Sequence, residues 1–579
     1  RLKESLFLRQ AEETSRYLME VPDDSWLYGF RKRAGKPSPG TELFGWYGHG
    51  IFHVFGQMLG GMVKLAAGTA NPDLATKAIR LAEGWASCME KDGYCCYKPR
   101  GAVNDLHYEY EKLLGGLLDL HEYAGYDKAL AWASSMTDWA MANLDREIVH
   151  RYREPAKVNF TFYREWYTLS ENLYRAFELT GDEKYRTFAK VWEYPDYWNR
   201  FLDPVSTLEP CHASSHVNTL SGSARAYRVT GDERYLRIIE NAYKRIFPEH
   251  TYATGGYGPA EGLFGQPGYL GRMLLEAPKN GFGNAEIPCG TWAVFKLTRY
   301  LMELTREAPY SAWAERLLYN GIGAELPMHP EGRVMYYANY HVDGASKAVE
   351  FEMSALNTTG TALEWPCCSG TYPQAVAEVC NLIGYRTSDG IDLCQYVPCT
   401  IRWSKTLSFE LDTRYPAEEE VTITARVASP ADCAVRLRQP DWVGPEAMTV
   451  EVNGQPVPSG VDGGWVAVSR RWRDGDRLRL RIPLRLRLDA VDRQKPDLCA
   501  VSFGPVTLAA NRPGVFTADA LHPQLWIERE PGTLSFRSRP GVVKGYPQMS
   551  KWFKPFWEYG LGERYHLYNK VERPLSWPT

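Results

Sequence analysis

The helical part of the chain is marked by one turn that occurs twice, as TGDEKY at Thr180–Tyr185 and as TGDERY at Thr230–Tyr235. Each copy follows one apolar-periodic helix and precedes another. Glycine ends a helix well because it adopts a left-handed backbone, and aspartate caps the start of the next helix. Looser copies lie at Gly68 and Gly125, and a turn without glycine is expected at Thr305–Pro309. The sequence therefore predicts helical hairpins of about 50 residues.

Repeated hairpins of this length are typical of an α-solenoid or of a closed α/α barrel. The four or five hairpins that we detect fit a closed ring of six with one or two undetected. We therefore predict an (α/α)6 six-hairpin barrel over residues 1–388. Three of its helices are expected at Gly48–Ala66, Leu113–Tyr123 and Lys128–Ala140.

The pattern changes near residue 390 to short segments that alternate apolar and polar residues. Val421–Val427 and Arg477–Leu488 alternate in this way, the second being broken by Pro483, and Asn453-Gly454 is a hairpin signal. Such segments predict an all-β sandwich over residues 389–520. Residues 521–579 are rich in Pro, Trp and Tyr, and we expect an irregular segment that packs back on the other domains.

Composition restricts the classes of function. The chain has 579 residues, a net charge of −3 and 44% hydrophobic residues, which gives no reason to expect nucleic acid or a membrane as partner. Twelve cysteines are too few for a disulfide scaffold, and a thiolate site would favour the cytoplasm. The 19 Trp and 36 Tyr residues suggest sugar binding, although large helical cores also use aromatic residues. A homodimer is a possible assembly.

Cys367 and Cys368 are the residues most indicative of chemistry. Neighbouring thiols rarely bond to each other, but both can bind one soft metal ion, and thiolate is a preferred zinc ligand. Cys289 follows a carboxylate, Glu286, so three cysteines and a glutamate could fill a tetrahedral site. The alternative is that these are buried, inert thiols. A second vicinal pair, Cys95–Cys96, is interpreted as packing.

Other candidates carry weaker signals. His49 and His53 have the spacing of a metal pair, but the aromatic residues around them favour a sugar-binding face or a core. Glu261 follows a glycine-rich turn, a type of loop that places a side chain at the mouth of a barrel. His216 and Asn218 reach sugar hydroxyls if they face the barrel centre, and otherwise cap a hairpin.

Five segments together resemble the bacterial glycoside hydrolases of families 127 and 146, and the resemblance extends over nearly the whole chain. They are Gly48-His49 with His53, the helix Tyr110–Asp119, the motif His216–Thr219, Gly255-Gly256 before Glu261, and Cys289 with the later run Cys367–Thr371. The order and spacing of the five segments carry the resemblance, since none is decisive alone.

The resemblance implies a retaining exo-glycosidase whose barrel is the catalytic domain. In this family a zinc-bound cysteine attacks the anomeric carbon and a glutamic acid protonates the leaving oxygen, which would make Cys367 the nucleophile and Glu261 the acid/base. Terminal L-arabinofuranose is the implied sugar. The implied zinc ligands are Glu286, Cys289, Cys367 and Cys368, and the implied substrate-binding residues are His49, His53, Glu111, Glu165, His216 and Asn218.

Two departures from the family pattern concern the site. The family's ligating glutamate stands two residues before the first zinc cysteine, where this chain has Ile287, while Glu286 stands three before it. Glu286 could still reach the metal, Glu364 could replace it, or zinc could be absent. Glu111 stands where the family usually has a histidine, so the sugar could differ.

Two other functions stay open on the sequence alone. α/α barrels also host polysaccharide lyases and sugar epimerases, because a fold does not determine a function. A sugar-binding protein that has lost catalysis would also explain Ile287 at the expected ligand position.

Overall fold

The computed structural model describes most of the chain. The described residues are 1–45, 53–101, 106–151, 165–203, 208, 210–263, 265–276, 283–330, 332–348, 364–444, 448–457 and 460–573.

Helices dominate the first two thirds of the described chain. The principal helices are α1 (Leu6–Glu20), α2 (Val54–Thr69), α3 (Pro72–Ala86), α4 (Leu106–Ala124), α5 (Lys128–Asn143), α6 (Leu169–Thr180), α7 (Glu183–Val191), α8 (Ala213–Asn218), α9 (Leu220–Thr230), α10 (Glu233–His250), α11 (Ile287–Thr305), α12 (Ala312–Asn320) and α13 (Cys367–Ile383). Shorter helices lie at Asp23–Trp26, Tyr28–Arg33, Ile148–Arg151, Pro195–Trp198 and Tyr269–Leu275.

Six of these helices form a closed inner ring. Around the ring, α2 packs on α4, α4 on α6, α6 on α9, α9 on α11, α11 on α13, and α13 again on α2. Each inner helix has an outer partner: α3 on α2, α5 on α4, α7 on α6, α10 on α9, α12 on α11, and α1 on α13. The predicted six-hairpin barrel is confirmed, and its sixth hairpin joins the first principal helix to the last.

The repeated turn forms as its residues predict, with one exception. Gly181 and Gly231 end α6 and α9 in the left-handed conformation, and Asp182 and Asp232 cap the next helices by accepting backbone N–H groups. Gly68, by contrast, lies inside α2, and Ala70 takes the left-handed position instead. The prediction of a stop at Gly68 was wrong by two residues, because α2 runs on where Gly68 packs against the thiol of Cys380.

The candidate cysteines lie in the first turns of two helices. α11 begins at Ile287 and contains Cys289, and α13 begins with Cys367 and Cys368. Pro373 lies inside α13. The start of the predicted helix at Gly48 falls outside the described residues.

Twenty-six strands are present in the described part. Seven short ones accompany the barrel: β1 (Phe44–Gly45), β2 (Cys211–His212), β3 (Gly262–Leu263), β4 (Ala285–Glu286), β5 (Tyr337–Ala338), β6 (Ala345–Ser346) and β7 (Glu364–Trp365). The others are β8 (Gly384–Arg386), β9 (Gly390–Leu393), β10 (Cys399–Arg402), β11 (Leu407–Thr413), β12 (Glu420–Val427), β13 (Ala431–Arg438), β14 (Thr449–Val452), β15 (Gln455–Pro456), β16 (Trp465–Trp472), β17 (Arg477–Arg481), β18 (Leu486–Ala490), β19 (Leu498–Phe503), β20 (Val506–Ala510), β21 (Val515–Asp519), β22 (Ile527–Arg529), β23 (Phe536–Ser538), β24 (Trp552–Pro555), β25 (Arg564–Tyr565) and β26 (Tyr568–Arg573).

Strands β8–β17 form two sheets, in the orders β10-β11-β12-β17-β14-β15 and β16-β13-β9-β8. The Asn453-Gly454 hairpin forms between β14 and β15, with both turn residues at positive φ. These two sheets form the first part of the β-rich region that the alternating segments predict.

A third sheet, in the order β21-β26-β19-β20-β24-β23-β22 with β18 beside β19, takes strands from both sides of residue 520. The prediction that 521–579 is irregular was therefore wrong for its described part. Its strands are short, and β24, β25 and β26 pair with strands from much earlier in the chain, so no local alternation marks them. The predicted boundaries at 388 and 520 stay predictions.

Buried polar contacts join the β-rich part to the barrel. Arg438 of β13 forms an ion pair with Glu315 of α12 at 2.6 Å, with both side chains almost fully buried. Asn320 bonds the third sheet through Pro505 O and Thr507 N, at 2.8 and 2.7 Å. Because a buried ion pair is costly to separate, these contacts hold the barrel in one position against the sheets.

Among the described helices, none is both long and apolar enough to cross a bilayer.

Candidate active site

Three cysteines and one glutamate meet where two helices begin. Glu286 is the N-cap of α11 and Cys289 is the third residue of that helix, while Cys367 and Cys368 are the first two residues of α13. One ligand atom from each of the four lies within 4.8 Å of the others. The structure thus brings together the four residues that the sequence proposes as zinc ligands.

The distances within this cluster are short. Cys289 Sγ is 3.6 Å from Cys367 Sγ and 3.4 Å from Cys368 Sγ. Glu286 Oε1 is 3.3 Å from Cys368 Sγ and 3.8 Å from Cys367 Sγ. Tetrahedral ligands of one zinc ion, bound at about 2.0 to 2.3 Å, are about 3.5 Å apart. The donors present therefore fit a zinc ion in both chemistry and spacing.

Helix geometry explains how Glu286 reaches the cluster from three residues before Cys289. An N-cap residue and the third residue of the helix lie next to each other, as in a capping box. β4 also fixes Glu286, because it pairs with Tyr337 of β5. Glu286 therefore reaches the cluster although it stands one residue farther from Cys289 than the family pattern has its glutamate. The side chain of Glu364 falls outside the described part.

The surroundings of the cluster shift the pKa values of its members. Burial raises the pKa of the Cys368 and Cys289 thiols well above their usual value. Burial acts the same way on Cys367, but hydrogen bonds from Cys289, Cys368 and Tyr336 outweigh it and lower its pKa well below the usual value. The N-termini of α11 and α13 add partial positive charge. Cys367 is therefore the thiol best placed to carry a negative charge.

Glu286 links the thiols to a second group of residues. Burial, and then the charge of Cys367, raise the pKa of Glu286 to about 8. Its Oε2 accepts a hydrogen bond from Ser214 Oγ at 2.6 Å and lies 3.9 Å from His212 Nε2. His212 Nε2 in turn lies 3.6 Å from Glu261 Oε2. One carboxylate therefore faces the thiols with one oxygen and the candidate acid/base with the other.

Glu261 is positioned by strand pairing and by a tyrosine. β2 pairs with β3 so that His212 lies opposite Gly262, directly beside Glu261. Tyr337 OH donates a hydrogen bond to Glu261 Oε1. Glu261 is almost fully buried.

The backbone at this position is unusual. Glu261 has φ 59° and its neighbour Ala260 has φ 52°, both in the left-handed region that non-glycine residues rarely adopt. Glu165 has φ 38°. The other described non-glycine residues at positive φ cap helices or form the hairpin turn. Strained residues of this kind cluster at functional sites, and here they surround the cysteine cluster.

His212 is a site residue that the sequence analysis missed. Burial would lower its pKa, but the hydrogen bond and charge of Glu261, followed by the charges of Glu286 and Glu165, raise it to about 9. Its Nδ1 lies 2.8 Å from Ser215 Oγ and accepts from Ser215 N at 3.3 Å, which caps α8. The signal available in the sequence was a helix-capping position four residues before the chosen His216.

A cleft with about 370 Å³ of empty space opens beside the cluster. It is lined by Tyr108, Lys112, Glu165, His212, Ser214, Ser215, Asn218, Glu286, Cys289, Trp292, Cys367 and Thr371. Burial raises the pKa of Glu165 to about 7, against the opposing charge of Lys112. Of the predicted substrate-binding residues, Glu165 and Asn218 line the cleft. Lys112, Trp292 and Tyr108 line it without having been predicted.

The other predicted substrate-binding residues are placed differently. Glu111 lines a separate polar cavity inside the barrel, where it pairs with Lys112 at 2.5 Å and accepts from Asn172 at 2.7 Å. His53 is fully buried beside the Tyr108 ring, and burial lowers its pKa to about 3. His49 lies outside the described residues.

His216 is enclosed by aromatic rings rather than lining the cleft. Its ring centroid is 4.8 Å from those of Tyr167 and Tyr197, and its Nδ1 is 2.8 Å from His212 O. Burial lowers its pKa to about 3, so the ring is neutral. This arrangement makes His216 a support for the segment that carries His212.

Comparison with known proteins gives this cleft a context. The family model described as beta-L-arabinofuranosidase, GH127 catalytic domain, matches residues 1–381, which is more than half of the chain. This chain belongs to glycoside hydrolase family 127. The model of the GH127 middle domain matches residues 390–484. No curated protein sequence matches the chain.

Solved structures show the family 127 fold over the whole chain. A GH127 beta-L-arabinofuranosidase from Geobacillus stearothermophilus T6 aligns with a TM-score of 0.74 at 17% identity, covering 99% of this chain and 100% of the other. A second GH127 beta-arabinofuranosidase aligns with a TM-score of 0.72 at 18% identity, covering 100% of this chain and 98% of the other. At such identities the likeness shows the fold.

Membership of family 127 makes the protein a glycoside hydrolase and its substrate a glycan. The resemblance predicted from five segments is thereby confirmed for family 127. The cleft beside the cysteine cluster is the candidate active site of this hydrolase.

Proposed function

We propose that the protein is a retaining exo-glycosidase that releases a terminal L-arabinofuranose, with Cys367 as nucleophile and Glu261 as general acid and base. The observation that carries the proposal is the meeting of Cys289, Cys367, Cys368 and Glu286 in the wall of the cleft, linked through Glu286 to Glu261. The sugar is suggested by the two family 127 relatives, which are both named as arabinofuranosidases.

In the first half of the reaction the Cys367 sulfur attacks the anomeric carbon. The bond from that carbon to the leaving oxygen breaks, and the protonated carboxyl of Glu261 donates its proton to this oxygen. The product of this half is a glycosyl thioether on Cys367. Tyr337 holds the Glu261 carboxyl by donating to the oxygen that does not face His212.

In the second half a water molecule attacks the same carbon and displaces the sulfur. The Glu261 carboxylate accepts the proton of this water, so two inversions leave the anomeric configuration unchanged. His212, whose Nε2 lies between Glu261 and Glu286, orients both carboxyl groups. Asn218, Lys112 and Glu165 line the cleft and supply groups that bond sugar hydroxyls.

The donor set suits zinc, with Glu286, Cys289, Cys367 and Cys368 as the residues that would hold it. When bound, the ion would keep the Cys367 sulfur deprotonated and fixed in position. The buried Ser214 hydroxyl, which donates to Glu286, supports the ligand carboxylate from behind.

The experiment follows the products of 4-nitrophenyl β-L-arabinofuranoside by proton NMR from the start of the reaction. We expect β-L-arabinofuranose to form first and to equilibrate with its other forms later. The α-linked substrate and an oligouronide are run in parallel, and zinc is measured in the same sample.

Three other results would contradict the proposal in different ways. An α-configured first product would mean inversion and exclude a glycosyl-cysteine. An unsaturated product absorbing in the ultraviolet from the oligouronide would indicate a lyase. Sugar affinity without turnover on any glycoside would indicate a binding protein.

A further inference from the structure

A second large groove lies at the end of the barrel opposite the candidate active site. It has about 1470 Å³ of empty space and lies between the ends of α4, α11 and α13 and the strands β8–β10. Cys380, in its wall, is thirteen residues after Cys367 on α13, which is about 20 Å along the helix. The groove is therefore separate from the catalytic cleft.

The groove is cationic although the whole chain has a net charge of −3. Its wall holds Arg299, Arg306, Arg386 and Arg402 against two acidic residues, Glu303 and Asp392. Both acidic residues are already engaged by arginines: Asp392 by Arg306 at 2.7 Å and by Arg436 at 3.1 Å, and Glu303 by Arg228 at 3.1 Å.

Two of the arginines carry the uncompensated charge. Arg386 and Arg402 are exposed, and their side chains have no ion-pair or hydrogen-bond partner among the residues that the structure describes. They come from different sheets, Arg386 from β8 and Arg402 from β10. Trp403 Nε1 donates to Thr387 O at 3.2 Å and so holds the two arginine-bearing segments side by side.

Two tyrosines complete the groove. Tyr123 is held by Asn381, whose Nδ2 donates to its hydroxyl at 3.0 Å. The Tyr385 hydroxyl is buried and has no hydrogen-bond partner in the described part of the chain. Both residues line the groove, and the buried Tyr385 hydroxyl lies below its surface.

We propose that this groove binds a glycan that carries carboxylate groups, as a uronic acid does. The planar guanidinium groups of Arg386 and Arg402 match carboxylates in charge and geometry, and the two tyrosines offer aromatic surface for a sugar. A densely charged nucleic acid fits less well, because it needs many basic contacts and the chain as a whole is acidic. The groove thus holds a charged part of a glycan away from the cleft.

The test measures binding of polygalacturonate and of neutral arabinan by titration calorimetry at low salt. It uses the C367A variant, so that hydrolysis does not interfere and the outcome is independent of the proposed catalysis. R386S/R402S is compared with R471S/R473S, a control pair of exposed arginines on the same β-rich part but outside the groove. Circular dichroism checks that each variant is folded.

We expect polygalacturonate to bind, to bind more weakly as salt rises, and to bind at least tenfold more weakly to R386S/R402S while R471S/R473S stays unchanged. The proposal is overturned if polygalacturonate does not bind at low salt, if R386S/R402S binds as well as the parent, or if the control pair loses as much affinity. Self-association of the parent that is abolished by R386S/R402S would instead make the groove an interface between two copies.

Discussion

The chain contains two vicinal cysteine pairs that look alike in sequence and have different surroundings. Cys95–Cys96 and Cys367–Cys368 are both buried and both have a buried glutamate nearby, Glu109 for the first pair and Glu286 for the second. The first pair lies in the segment between α3 and α4, where the sulfur of Cys95 contacts Met136 Sδ at 4.0 Å. The second pair begins a helix and faces a third thiol.

The difference shows what turns a cysteine pair into a candidate reactive site. Cys289 and Glu286 come from the start of another helix and meet the pair Cys367–Cys368. Cys367 also lines a cleft that a substrate can enter. The Cys95 and Cys96 backbone carbonyls accept from Trp85 at 3.1 Å and from Arg33 at 2.7 Å, which ties that pair into the core. Four experiments on variants of these residues test the difference between the two pairs.

The largest expected effect is on turnover. C367A should lower kcat by on the order of 10⁴-fold or more, because the nucleophile is removed. C96A, which removes the same atom from the other pair, should leave kcat within about twofold. Release of nitrophenol from the arabinofuranoside measures both. Comparable kcat in the two variants would place the chemistry elsewhere.

Glu261→Gln should cost about 10²- to 10⁴-fold with a poor leaving group, since the amide cannot donate the proton. The rate of the first step should fall much less with the nitrophenyl substrate, because nitrophenol leaves without being protonated. Steady-state rates for an alkyl and a nitrophenyl arabinofuranoside give the ratio. Glu109→Gln serves as the control beside the other pair, and equal losses on both substrates would argue against the acid role.

The zinc content of the C368A and C95A variants should differ by about tenfold. The purified protein should contain about one zinc per chain, and C368A should reduce this to a small fraction because one thiolate ligand is lost. C95A should retain the parent content. Elemental analysis after purification without a metal-affinity step decides the matter. A zinc-free parent protein under reducing conditions would remove the proposed ligand role of all four residues.

The smallest effect is on the pH dependence of stability. Burial raises the pKa of Glu109 to about 8, so the folded state keeps a proton that the unfolded chain loses above its ordinary pKa of 4.5. This contribution is complete below pH 4.5 and is lost as pH rises through about 8, at about 1.4 kcal/mol per pH unit. Glu109→Gln should remove this one-proton contribution, so that the free energy of unfolding falls less steeply as pH rises from 4.5 to about 8.

The barrel and the cysteine cluster were within reach of the sequence, the first through local rules and the second through a family pattern. Glycine and aspartate caps predict where helices end and begin, and Cys289 with the Cys367 pair resembles a family pattern. Gly68 shows the limit of such rules, because tertiary packing extended α2 past it.

The rest of the site depends on contacts that no local pattern encodes. His212 is placed by the pairing of β2 with β3, whose residues lie about 50 positions apart. Glu111 was chosen over Lys112 by analogy with a family histidine, but adjacent helical residues point in different directions. Here only Lys112 lines the cleft, and its ammonium group also pairs with Glu111 at the inner cavity that both residues line.

The closing hairpin of the barrel has a consequence for biosynthesis. α1 packs against α13 and α2, and it is synthesised long before α13, the helix that completes the cover of its apolar face. At about 5 to 20 residues per second, the interval to Ile383 is about 20 to 80 s. During that time the nascent barrel is an open arc of hairpins, and its exposed apolar surface favours aggregation.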